Sequence, residues 1–260
     1  MERSPNEESA CARLRTPLSL CVSPTVIDVT KRCGLVGGMG PESTLDYYRL
    51  IVEHFRPDKD GPYPELTVDI IDLEPIVRLL EAGDRAGLTD YIVESIDRLA
   101  RAGCTFAALT SNTSHTVFQE VSGRSPIPMV SIVEAARDHS AELHLRRPAL
   151  LATSFTVNAG FYQDVFSRRG MTILTPSAAE QAFIHQKYMD ELVLGIVRED
   201  TRAAFVRMSN RLVAEEGADG LILGGTEIPL LLRDAEGIAV PIVDTTIVHV
   251  HRLVAMMRAA

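Results

Sequence analysis

Two polar loops, each following a short apolar run, constrain this chain more than anything else in its 260 residues. Phe106 to Leu109 breaks into Thr110-Ser111-Asn112-Thr113-Ser114-His115, and the run 220–223 breaks into Gly224-Gly225-Thr226-Glu227-Ile228-Pro229. Short apolar runs of this kind read as buried parallel strands, and their polar ends as turns into the next helix. In open α/β sheets that carboxyl edge is where ligands bind. Ser111 and Gly225 stand 114 residues apart, and two further strand-to-loop junctions, beginning at Gly34 and Ala149, stand 115 apart. The matched offsets predict two similar lobes with one site between them.

The rest of the chain keeps the same rhythm. Apolar runs predict strands at 33–36, 66–71, 106–109, 129–132, 149–152, 171–174, 221–223 and 242–243. Amphipathic spacing predicts helices between them, among them 41–54, 113–121, 156–168, 179–197 and a closing helix at 247–259. Pro41 suits a first helical turn and Glu42 complements its positive end. Alternation of this kind predicts parallel sheets with helices on both faces, the α/β class.

Charge and cysteine usage narrow the function. The chain has 35 acidic and 26 basic residues, a net charge of −9, and no basic block. Those numbers argue against a nucleic-acid partner. No apolar run is long enough to span a bilayer. Cys11, Cys21, Cys33 and Cys104 form no CxxC pair, so neither a metal site nor a disulfide framework is expected, and a reducing cytoplasm is the expected setting. Residues 1–31 are polar and proline-containing, without the pattern of a signal peptide. They are expected to form a mobile arm or an over-long start, or to dock residues 18–22 on a partner subunit. Gly37-Gly38-Met39-Gly40 is only half of a dinucleotide fingerprint, so no nucleotide is expected.

These junctions resemble the aspartate/glutamate racemase superfamily. Gly34-Leu-Val-Gly-Gly-Met-Gly-Pro-Glu-Ser-Thr44 is similar to that family's opening strand and loop, and Leu151-Ala-Thr153, with Thr156 and Tyr162, to the start of its second lobe. Ser111-Asn-Thr-Ser-His115 resembles a segment that usually reads Cys-Asn-Thr-x-His, and Leu223-Gly-Gly-Thr-Glu-Ile-Pro229 one that usually contains Gly-Cys-Thr-Glu. Asp244-Thr245 and His249 match the closing segment, so the resemblance runs from about Arg32 to Leu253. It implies two doubly wound Rossmann-like lobes related by a pseudo-twofold, with the closing helix returning to the first lobe and the active site in the inter-lobe cleft. On that plan residues 32–135 and 244–260 form one lobe and 136–243 the other. It also implies catalysis without a cofactor on a small amino acid or carboxylate. The expected assembly is a homodimer.

In such a family the substrate faces one cysteine from each lobe. Inverting a carbon acid needs a base on one face and an acid on the other, and a thiol titrating near ~8.5 can do either job. Here Ser111 and Gly225 occupy those positions. A serine hydroxyl is a poor base without an activating partner, and Cys104 lies at the far end of its strand. Ser111 is a candidate proton donor, nucleophile or hydrogen bonder, with His115 one turn on as a supporting residue. Glu227 is the second loop's only titratable group, and so either a general base of raised pKa or a buttress. Asn112, Thr113, Thr153 and Thr226 offer hydrogen bonds to a substrate carboxylate, or simply cap helices.

Gly38 and Met39 are expected to shape the pocket floor, Gly225 to enlarge the pocket, and Asp244 and His249 to support it. Relatives specific for aspartate tend to set a basic residue from each lobe on the distal carboxylate. Arg78 is the first-lobe candidate, while Val193 stands where a lysine is common. A bulkier or less acidic substrate than aspartate follows from that loss. Two classes of function remain open. One is an epimerase, lyase, decarboxylase or cyclase that works by non-thiol acid/base chemistry. The other is a catalytically silent carboxylate-binding homologue.

Overall fold

Seven strands form two parallel sheets in the computed structural model, which describes residues 31–56, 63–233 and 235–259. The first sheet contains β1 (Cys33–Gly37), β2 (Leu66–Ile70), β3 (Phe106–Leu109) and β4 (Met129–Val130), in the order β2-β1-β3-β4. The second contains β5 (Ala149–Leu151), β6 (Leu221–Leu223) and β7 (Ile242–Asp244), in the order β5-β6-β7, with an isolated parallel bridge from Leu174 to Ala149 outside β5. Leu174 therefore stands to β5 as β2 stands to β1, and the two sheets share one topology. The strand expected at 171–174 shrinks to this bridge because Pro148, at the edge it would pair with, has no N–H to donate.

The apolar runs lack two-residue alternation because both faces of each sheet are covered. Cys33, Leu35 and Phe106 pack with Tyr47 and Ile51 of the helix Pro41–Phe55. Val36, Ala107 and Leu109 point the other way, onto Ile92 and Ile96 of the helix Arg85–Arg101 and Ile76 of the helix Leu73–Glu81. In the second sheet Leu150, Ile222 and Val243 face Tyr162 and Phe166, while Leu151, Leu221 and Leu223 face Ile184, Phe205 and Leu212.

The chain crosses between sheets twice. The helix Ile132–Glu142 follows β4 but buries Ile132, Val133, Ala135 and Ala136 in the second sheet's core, so a division between residues 135 and 136 cuts a continuous helix. The helix Thr245–Arg258 follows β7 and returns Val250, Leu253, Val254 and Met257 to the first sheet's core. Of the expected N-terminal arm, only Lys31 lies within the described residues; its N–H donates to the Met257 carbonyl at 3.1 Å. Among the described residues no helix is long and apolar enough to cross a membrane.

Three expected helices change form, each near the carboxyl edge of a sheet. The one at 156–168 is two helices, Ser154–Asn158 and Phe161–Ser167, parted by Gly160 at φ +75. The one at 179–197 ends as Ala178–Asp190, followed by the 3-10 turn Leu192–Leu194 and Gly195 at φ +70. Left-handed glycine ends the helix Ser154–Asn158 and the 3-10 turn Leu192–Leu194, while the helix Ala178–Asp190 already stops at Glu191, at φ −123 and ψ −62. The helix after Ser111 begins as a 3-10 turn, Thr113–Val117, before Phe118–Arg124.

Candidate functional site

In each sheet the order reverses once, between β1 and β3 and between β5 and β6, and the loops at those reversals form the ligand-binding crevice of doubly wound folds. Here the four loops meet. The Thr113 hydroxyl lies 3.2 Å from that of Thr153 and 3.0 Å from that of Thr156, which joins the β3 loop to the β5 loop. Gly40, after β1, lies so close to Glu227, after β6, that a Cβ there would sit 2.4 Å from Oε1. Arg233 adds an ion pair across the lobes, to Asp46 at 2.7 Å and Asp244 at 2.8 Å.

A recess opens where these loops converge. Met39, Ser111, Thr113 and Ser114 line it from the first sheet's loops, and Thr153, Phe155 and Tyr188 from the second's. Its outer wall is the helix Leu73–Glu81 on one side and Met189 and Val193 on the other. Among the described residues Ser111 Oγ accepts only a long 3.4 Å bond from the Ser114 N–H, and no carboxylate or imidazole is hydrogen-bonded to it.

The second cysteine position is not a void. A Cβ on Gly225 would lie 2.6 Å from Tyr188 Cε2, so the tyrosine ring covers the place a side chain would take. The expectation that Gly225 enlarges the pocket is therefore corrected. The Tyr188 hydroxyl donates to Glu227 Oε2, and the Thr226 hydroxyl donates to the same atom at 3.0 Å. Burial pushes the Glu227 pKa up, against the Tyr188 and Thr226 hydrogen bonds that favour its anion. Burial also raises the Tyr188 phenol well above its ordinary value, and the Glu227 charge adds to the rise. Glu227 does not line the recess; Tyr188 stands in front of it. Tyr188 was not singled out from the sequence. It lies 37 residues before Gly225, on a different element, and no local motif links the two.

Several expected substrate contacts prove to be braces. Asn112 spends both ends of its amide, Nδ2 donating to Thr245 Oγ1 at 3.0 Å and Oδ1 accepting from Tyr162 at 2.5 Å. Thr226 is turned to Glu227, away from the recess. Gly38 faces the outer side of its loop, at φ +88, where a Cβ would collide with the Ile71 carbonyl at 2.2 Å. Arg78 is 68% exposed and paired with Glu74 at 2.8 Å, since a cation on that helix face gains more from water and an i−4 carboxylate than from an apolar wall. Met39, Ser111, Thr113 and Thr153 do line the recess. Asp244 caps the closing helix, its Oδ1 accepting from the Thr246 and Ile247 N–H groups.

The two supporting histidines are buried and neutral. His115 Nδ1 bonds the Ser111 carbonyl at 2.8 Å and Nε2 accepts from the Ile132 N–H at 3.2 Å, so it fixes the loop's backbone, not the serine hydroxyl. His249 lies 2.7 Å from the Tyr47 hydroxyl and 3.2 Å from the Val130 carbonyl. Burial lowers the His115 pKa to about 4, against its bond to Ser111. Burial, then the nearby His115, lowers His249 to about 3. The unfolded chain binds these protons below about 6.5 while the folded one does not. Stability is therefore full above about 6.5 and falls as pH drops toward 4, by up to about 1.4 kcal/mol per pH unit for each histidine. Imidazole NMR titration of the folded protein should find both rings neutral at pH 5; a midpoint near 6.5 for either would contradict this.

Among the described residues no group of three or more His, Cys, Asp or Glu side chains is placed to hold a metal ion. Cys33 and Cys104 are both buried, at the amino ends of β1 and β3, away from the recess.

Comparison with known proteins gives a consistent result. The Asp/Glu/hydantoin racemase family matches the chain over residues 36–253. The broad specificity amino-acid racemase of Bacillus subtilis strain 168 is 22% identical over 229 residues, which cover 82% of this chain and 92% of that protein. An aspartate racemase homologue from Pyrococcus horikoshii OT3 superposes with a TM-score of 0.75 at 29% identity, over 88% of this chain and 100% of that one. A glutamate racemase from Francisella tularensis, solved with D-glutamate, shares the fold at a TM-score of 0.64 and 14% identity, over 88% of this chain and 81% of that one.

Proposed function

The chain belongs to the Asp/Glu/hydantoin racemase family, and from that premise we propose that it is an enzyme that moves a proton at a carbon centre of a small amino acid or carboxylate without a thiol or a cofactor. One observation carries the reading: the Tyr188–Glu227 pair stands at the recess where the second cysteine is absent. In this reading the substrate carboxylate takes hydrogen bonds from the Thr113 and Thr153 hydroxyls, and its reacting carbon faces Tyr188. The α-proton passes to the tyrosine oxygen as the tyrosine's own proton passes to Glu227, leaving a carbanion and a neutral carboxylic acid. Glu227 acts through Tyr188 and not on the substrate directly. Return of a proton by the same path gives exchange; delivery from the Ser111 hydroxyl gives inversion, after which water entering the recess reprotonates the serine oxygen and the resulting hydroxide takes the proton held by Glu227 through Tyr188.

Ser111 lacks a base, so the two faces are unequal. That inequality supports isomerase or lyase chemistry in which one protonation, from the Tyr188 face, dominates. A homodimer in the cytoplasm belongs to the same proposal. The dimer is supported by Leu45, Ile70 and Leu194, which are more than 60% exposed and gather beside the edge strand β2.

The test is loss of the α-proton signal from amino acids incubated with the protein in deuterium oxide, before and after treatment with iodoacetamide. Exchange that survives alkylation is expected, because neither buried cysteine is at the recess. Exchange abolished in step with alkylation of Cys104, in folded protein, would contradict it. Binding of amino acids without any exchange would instead favour a silent binding protein.

A further inference from the structure

We propose that the substrate carries an apolar side chain in place of the second carboxylate of aspartate or glutamate. The inference rests on the reading of the recess as the substrate site. That recess is polar at one end only. Ser111, Thr113, Thr153 and Tyr188 gather at the loops, while the outer wall is Leu73, Ile76, Val77, Leu80, Met189 and Val193. Among the described residues no charged side chain lines it.

The neighbouring cations are committed elsewhere. Arg78 follows Val77 but turns outward to Glu74. Lys187 precedes Tyr188 but pairs with Glu191 at 2.5 Å, and Glu191 also accepts from the Thr201 hydroxyl at 2.7 Å. A distal carboxylate against this wall would be an anion removed from water with no partner, which is costly. A distal ammonium fares no better, since Glu74 and Glu191 are already paired. An aliphatic or aromatic side chain meets neither penalty and gains contact area on all six residues.

Calorimetric titration with L- and D-forms of leucine, phenylalanine, aspartate and lysine tests this, on the wild type and on Val77→Lys and Val193→Lys. The wild type is expected to bind leucine or phenylalanine at least about tenfold tighter than aspartate or lysine. Each lysine variant that folds, judged by circular dichroism, should move the ratio of leucine to aspartate affinity toward aspartate by about tenfold. Aspartate or lysine bound as tightly as leucine by the wild type overturns the inference, and so does a ratio unmoved in both variants. Apolar preference without proton exchange leaves the inference standing and removes the catalytic reading. Failure of every one of these amino acids to bind overturns both.

Discussion

Tyr188→Phe should lower turnover by about 10²–10⁴-fold, the range typical of a lost general acid or base, while substrate affinity changes only a few-fold. The substitution is informative because it is so small. The ring that lies against Gly225 remains, so the packing there is preserved. What is lost is the hydroxyl that donates to Glu227 Oε2. Glu227 then has one donor fewer in a site where burial already raises its pKa, and it no longer has a path to the substrate. Glu227→Gln should have an effect of the same order, because it removes the proton's destination. Since the two residues act as one unit, the double variant should be little worse than either single one. Single-turnover rates and calorimetric affinities for all three variants check this. A Tyr188→Phe protein that turns over like the wild type would reduce Glu227 and Tyr188 to structural groups.

Gly225→Cys, which restores the residue common in the family, should inactivate the protein. A Cβ at this position would come within 2.6 Å of Tyr188 and 3.1 Å of Ile228 Cδ1, both buried. Something must shift, and Tyr188 is the nearer. Overpacking of this sort costs about 1–3 kcal/mol, a fall of several degrees in Tm for a chain of this size. Displacing the ring also withdraws the phenol from Glu227, so turnover should fall by roughly the 10²–10⁴-fold expected for Tyr188→Phe. Gly225→Cys combined with Tyr188→Ala should lose less stability than the sum of the two single changes, because the clash is gone, without recovering turnover. Thermal unfolding of the single and double variants decides the matter. A Gly225→Cys protein with unchanged Tm and full activity would show that Tyr188 is not held against this glycine.

How much of this was legible in the sequence depends on how local the determining physics is. The strands at 33–37, 106–109 and 221–223 fall where the apolar runs lie, because a strand buried on both faces has no other composition open to it. Ser111, Thr113 and Thr153 line the recess because the carboxyl end of a strand fixes where its loop points. Distant partners were not legible. Gly225 read as empty space because a glycine records nothing of what packs on it, and Tyr188 arrives there from a helix of the same lobe by tertiary folding alone. Asn112 looked like a substrate ligand, and became a brace once Tyr162 and Thr245 were brought within reach of both ends of its amide. Arg78 failed for a related reason: one position along a helix turns a side chain by about 100°, and Val77, not Arg78, takes the wall. The helix break at Gly160 was signalled by the glycine itself, but the one at Glu191 carries no glycine and nothing in the surrounding pattern marked it.

The central claim is that acid/base chemistry at this recess is carried from the Tyr188 face, with Ser111 opposite it lacking a base of its own. It is tested most directly by following one leucine or phenylalanine enantiomer at a time in deuterium oxide, measuring α-deuterium uptake by NMR and configuration by chiral chromatography in the same samples. Unequal faces predict that one enantiomer takes up deuterium with its configuration retained, faster than it inverts, and that the other exchanges slowly. Equal rates of exchange and inversion from both enantiomers would require two equivalent bases and would contradict the account.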